Sequence, residues 1–178
     1  MPPFPRRHYR DPVAPLADLW WVLCRLGRAR GVVRGVRLGH ALRERLMLAV
    51  TEVNGCRYCA WVHAREALRA GLPQAEVAQL LGGELAHAPS EEQPALLYAQ
   101  HWAEADARPT PDAQARLAEV YGEDRAADIE VALRLIRIGN LWGNTLDWVL
   151  HGLSRGRWGA AQRRPAGVAR GQSGDDSG

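Results

Sequence analysis

Apolar residues recur every three or four positions along most of the chain, a period that predicts helices and leaves no convincing strand. Residues 16 to 28 are apolar on more than one face (Leu16, Leu19, Trp20, Trp21, Leu23, Leu26), which predicts a buried first helix. Gly27, Gly31, Gly35 and Gly39 are expected to break the chain after it. A second helix, about His40 to Val53, places Leu42, Leu46, Ala49, Val50 and Val53 on one face and stops at Asn54-Gly55. A third starts at or just after Gly55 and ends before Gly71; Pro73 opens a short fourth that closes at Gly82-Gly83.

Ser90 with Gln93 reads as a capping box for a helix reaching about Ala107. Thr110-Pro111 starts the next, which ends at Tyr121-Gly122. The last runs from about Asp124 to Leu150, and Gly139 and Gly143 inside it suggest a bend or a break. The expected architecture is all-α: a flexible arm over 1–15, one domain of six to eight helices over 16–158, and a disordered, glycine-rich tail over 159–178. No internal repeat is visible.

Composition narrows the chemistry. The 178 residues suffice for one domain with a real core. All 23 basic residues are arginine. The absence of lysine excludes Schiff-base catalysis, a P-loop lysine and a lysine general base. A net charge of +3 with both signs interspersed does not call for a polyanionic partner. Arg25, Arg28, Arg30, Arg34 and Arg37 form a basic stretch, read as a solvated loop or a contact with an acidic partner rather than a nucleic-acid site. There is no apolar run of about 18 residues for a membrane span, and the proline-rich start has no apolar signal region. These features point to a cytoplasmic protein, where a close cysteine pair is more often catalytic, redox-sensing or metal-binding than a staple.

That pair stands in NGCRYCAWVHAREALRAG, residues 54–71. On a helix, Cys56, Cys59 and His63 share one face. Cys56 lies in the first turn, where the helix dipole favours a thiolate. His63 lies one turn beyond Cys59, where it can take or return a proton. Either thiol can therefore be the nucleophile. To orient the histidine, Glu44 must approach through a hairpin at Gly55. In that register it lies opposite residue 66, offset from His63 by about 4.5 Å along the axis, a gap one water can bridge. Glu52 falls on the wrong side of the hinge. The same donors could hold zinc, but no second CxxC or HxxxH accompanies them. Ala60 after Cys59 excludes a c-type haem.

Glu44, the CxxCxxxH segment and the following GLPQAEVAQLL together resemble the core of the alkylhydroperoxidase AhpD / carboxymuconolactone decarboxylase family, whose motif is a glutamate, eleven residues, then CxxCxxxH. The segment GNLWGNTLDWVL, residues 139–150, is similar to the closing helix of many members. The resemblance implies an all-helical, AhpD-like fold assembled as trimers or hexamers. It implies a thiol-dependent peroxidase without cofactor or resident metal. By the same analogy Cys59 attacks the peroxide and becomes a sulfenic acid, and Cys56 condenses with it to a disulfide. Glu44 and His63 relay the proton of Cys59 through water, and an external dithiol, a lipoyl domain or a thioredoxin-like protein, resets the pair. The helix dipole argues for Cys56 as the acidic thiol; the base at i+4 and the resemblance argue for Cys59, which is preferred. One departure is Tyr58, where the AhpD enzymes proper carry a second histidine.

Two rival readings remain: a non-catalytic helical oligomer whose dithiol is a redox sensor or metal site, and a disulfide reductase. Elsewhere, Cys24 among tryptophans is expected to be a buried, inert thiol. Trp61, Trp142 and Trp148 are expected in the core, at a subunit interface or lining an apolar peroxide pocket. Asn144 and Asp147 are expected to make interhelix hydrogen bonds.

Overall fold

The computed structural model describes residues 4–159, so most of the expected tail lies outside the described residues. Among the described residues there are eight helices and no strand: α1 (Ala14–Leu23), α2 (Leu26–Val33), α3 (His40–Asn54), α4 (Arg57–Arg69), α5 (Gln74–Leu81), α6 (Gln93–Glu104), α7 (Pro111–Tyr121) and α8 (Glu123–Leu153). The chain is all-α, as the pattern predicts. None of these helices is long and apolar enough to cross a membrane.

Helix α3 is the central rod, packed by α4, α5, α6 and α8. Its apolar positions Leu42, Leu46, Leu48 and Val50 are fully enclosed, against Leu80, Leu96, Trp102, Ile129 and Leu133 from the surrounding helices. Gly55 ends α3 with φ at +70°, a left-handed conformation that costs glycine little, and its N–H caps the carbonyls of Thr51 and Glu52. The chain then reverses, which sets α4 against α3.

Four expectations about the helices fail, each for a physical reason. The first helix stops at Leu23, and Gly27 and Gly31 lie inside α2, whereas Gly35 and Gly39 do stand in the break before α3. Arg28 and Arg37 both pair with Asp124 and Asp128 of α8, so part of the basic stretch is neutralised within the chain. Nor is α1 buried: Leu16, Trp20 and Leu23 are exposed, and its inward face carries Asp18, which pairs with Arg134 and Arg137 and accepts from the Tyr9 hydroxyl. Cys24, at the end of this open apolar face, is exposed rather than buried. At α6, Ser90 makes no capping bond to the helix; the helix starts at Gln93, whose side chain donates back to the carbonyls of Ala86 and Ala88. The Thr110 cap does form, its hydroxyl oxygen accepting from the N–H of Ala113.

The fourth concerns α8, which is one unbroken 31-residue helix. Gly139 and Gly143 do not end it. They sit one turn apart on the face that covers the start of α4. A Cβ at Gly139 would lie 3.8 Å from the Cys59 sulfur, and one at Gly143 would lie 3.2 Å from the Cys56 sulfur. The stretch expected as a flexible arm also lies along this helix: Arg6 and Tyr9 are buried, and the Tyr9 N–H donates to Thr145.

The two glycines should respond oppositely to a methyl group. Alanine in a helix interior is favoured over glycine by about 1 kcal/mol. Gly139→Ala has room for its methyl and should raise the urea midpoint. Gly143→Ala should lower it, because crowding in a packed core costs about 1–3 kcal/mol. Equal responses would mean that α8 is not held this closely to the cysteines.

Candidate functional site

The site forms where the C-terminal half of α3, the start of α4 and the middle of α8 meet. Cys56 is the N-cap residue of α4, with extended backbone, and Cys59 follows in the first turn. Both are buried and both are free thiols. Negative charge on the Cys56 sulfur is favoured by the Cys59 thiol and by the backbone N–H groups of Cys59 and Tyr58. These amides are the unsatisfied donors of a helix start, and they hold negative charge well.

The consequence is a split pair. Donation from Cys59 is the largest influence on Cys56. With the backbone amides and the positive charge of Arg6, it outweighs burial and lowers the Cys56 thiol from 9.0 to about 6. Cys59 moves up, because its proton is committed to Cys56 and because burial disfavours a second thiolate beside the first. The downward shift of Cys56 agrees with the dipole argument from the sequence, and the Asn140 carboxamide partly offsets the rise at Cys59.

Glu44 and His63 meet directly. The gap expected to need a water is closed: Nδ1 of His63 is 2.7 Å from Oε2 of Glu44, which is fully buried on α3. Burial alone would raise the Glu44 carboxyl, but the bonds from His63 and Arg43 outweigh it and the carboxyl lies below its ordinary value. An ionised carboxylate can only accept, so Nδ1 carries the hydrogen. The neutral ring then keeps its lone pair on Nε2. His63 is four residues beyond Cys59 on the same face of α4.

Asn140, which was not singled out from the sequence, frames the site together with Asn144. Asn140 donates to Thr51 and accepts from Asn54, and Asn144 donates to the carbonyls of Asn54 and Arg7. Asn144 and Asp147 do make the interhelix contacts expected of them; Asp147 takes both Arg6 and Arg57. The signal was present as G-N-x-x-G-N, which repeats a small residue and an amide one turn apart. Among the described residues no three His, Cys, Asp or Glu side chains converge as metal ligands do; the expected four form two pairs. Trp61 is exposed on α4, while Trp142 and Trp148 line a groove of about 530 Å³ with Tyr9 and Pro12, to which neither cysteine contributes.

An all-helical chain with a dithiol at a helix start and a carboxylate–imidazole pair on the adjoining turns defines a helical CxxC protein. The model described as the Carboxymuconolactone decarboxylase family, which includes AhpD-like proteins and enzymes, matches residues 24–105, so this segment is similar to that family. It spans α2 to α6 and holds Glu44, Cys56, Cys59 and His63; the glycines of α8 lie beyond it. No curated protein and no solved structure matches the chain.

Ultraviolet titration of thiolate absorbance in the reduced protein should give one transition near pH 6 that disappears in Cys56→Ser. A transition that instead survives Cys56→Ser and vanishes in Cys59→Ser would reverse the assignment.

Proposed function

We propose that the protein is a thiol-dependent peroxidase that reduces hydroperoxides through the Cys56–Cys59 dithiol. What supports this reading is geometry: the Glu44–His63 pair places an imidazole one turn beyond Cys59, and Cys56 and Cys59 are a buried, free dithiol at a helix start, with the downward shift of one thiol and the upward shift of the other in agreement. Such a dithiol can attack and then close. The burial of both sulfurs favours a small hydroperoxide.

In the proposed cycle the Cys56 thiolate attacks the distal oxygen of ROOH. The O–O bond breaks, Cys56 becomes a sulfenic acid, and RO⁻ leaves as the alcohol after taking a proton from solvent; the sulfur has lost two electrons and the peroxide has gained them. Cys59 then attacks the Cys56 sulfur, and the sulfenic oxygen departs as water. Since the Cys59 thiol is the weaker acid, this second step is the one that needs a base. His63 takes the proton on Nε2 while Glu44 holds the imidazolium through Nδ1. An external dithiol, a lipoyl domain or a thioredoxin-like protein, reduces the disulfide and restores both thiols. This order of attack is the reverse of that implied by the family resemblance, and it leaves His63 acting on the same thiol, Cys59. Tyr58, in place of the second family histidine, points away from this chemistry by its exposure, so the relay rests on His63 and Glu44. The exposed apolar residues of α1, Leu16, Trp20 and Leu23, favour a homo-oligomer.

One equivalent of hydroperoxide added to the reduced protein should consume two thiols and leave a Cys56–Cys59 disulfide by mass spectrometry, reversed by a dithiol. Cys59→Ser should trap a sulfenic acid on Cys56, and Cys56→Ser should give none. His63→Gln should slow disulfide closure while sparing sulfenate formation. No loss of thiols would sink the peroxidase reading; a sulfenic acid on Cys59 in Cys56→Ser would restore the opposite order.

A further inference from the structure

Arg6 is separated from Cys56 by fifty positions of sequence, yet the two share one corner of the fold. The aliphatic stem of Arg6 crosses Gly55, the residue just before Cys56: a Cβ there would lie 3.2 Å from Cγ and 3.6 Å from Cδ of Arg6. The guanidinium is anchored to α8, donating to Asp147 at 2.6 Å and to Asn144 at 3.3 Å, with a further bond to the carbonyl of Gly159 at 3.1 Å. The residue before Asn144 is Gly143, against which the Cys56 sulfur rests. Arg6 and Cys56 therefore occupy the same turn of α8 from two sides.

Two observations set this arginine apart from an ordinary surface ion pair. Its side chain is only 6% exposed. Its Nε–H, one bond beyond the Cδ that lies over Gly55, is buried with no hydrogen-bond partner among the described residues. Burying a donor unpaired is costly, and the stem that carries this one lies over the residue just before Cys56. The charges of the corner point the same way. The N-terminal segment brings Arg6, α4 brings Arg57 and Cys59, and α8 brings Asp147, which both arginines share. Two guanidiniums against one carboxylate leave a net positive charge at the corner.

We propose that Arg6 is a positioning residue for Cys56: from the N-terminal segment, across Gly55, it supplies the counter-charge of the thiolate. The proposal rests on the Cys56-first reading of the dithiol. The electrostatic influence of Arg6 on Cys56 is consistent with it.

The test is the thiolate titration of the reduced full-length protein, which needs no peroxide. A nearby opposite charge is worth roughly 1–3 units of pKa. Arg6→Gln should therefore move the Cys56 midpoint up by roughly one unit or more, which below that midpoint is about a tenfold loss of thiolate. Arg6→Lys keeps the charge and should lie between the two. Arg6→Gln leaves Asp147 with only the more distant and exposed Arg57, so a second comparison guards against misfolding: Asp147→Asn against the double variant Arg6→Gln/Asp147→Asn, in which no buried charge is left unpaired. The double variant should titrate higher than the single. An unchanged midpoint in folded Arg6→Gln, a lysine variant no different from glutamine, or equal midpoints in the second comparison would each overturn the role of Arg6. Failure of wild-type protein to form a disulfide with hydroperoxide would instead remove the peroxidase reading and leave the Arg6 result standing.

Discussion

The close approach of α8 to the start of α4 is the constraint on which the site depends. Two glycines, one turn apart, remove the Cβ atoms that would hold the helices off, and the two cysteine sulfurs occupy the space so released. The asparagine after each glycine then ties α8 to the end of α3: Asn140 through Thr51 and Asn54, Asn144 through the carbonyl of Asn54. Buried amides of this kind are stable only when their hydrogen bonds are made. The contact therefore fixes the register of three helices at the point where the thiols need it.

Within that frame the chemistry divides along α4. At the helix start, backbone amides and a guanidinium stabilise negative charge on one sulfur. On the adjoining turn, a buried carboxylate holds an imidazole in the tautomer that can accept a proton. In the proposed cycle the two ends act on different thiols of one pair, so the CxxC spacing would do more than allow a disulfide. It puts one cysteine under the helix dipole and the other within a turn of the base.

The sequence made local elements and local spacing legible. The period of apolar residues gave an all-helical chain, Thr110-Pro111 marked a true cap, and CxxCxxxH with its upstream glutamate pointed to the approach of Glu44 and His63. What it concealed depends on partners far along the chain. Gly139 and Gly143 look like helix breakers until α4 is laid against them. Arg28 and Arg37 look solvated until Asp124 and Asp128 arrive from α8. The apolar first helix looks buried because composition cannot say which face a single chain will leave uncovered, and Cys24 was misread along with it. The direct Glu44–His63 contact needed the true crossing of α3 and α4, which an idealised hairpin misplaces by several ångströms.

The N-terminal segment is wired into the site through a single side chain that crosses Gly55 and ends on Asn144 and Asp147. A substitution in this segment would disturb the surroundings of Cys56 while leaving every residue of the CxxCxxxH motif intact. Two relatives with identical motifs could then differ in thiol reactivity for reasons invisible at the motif, so the motif alone is a poor guide to how reactive its thiols are.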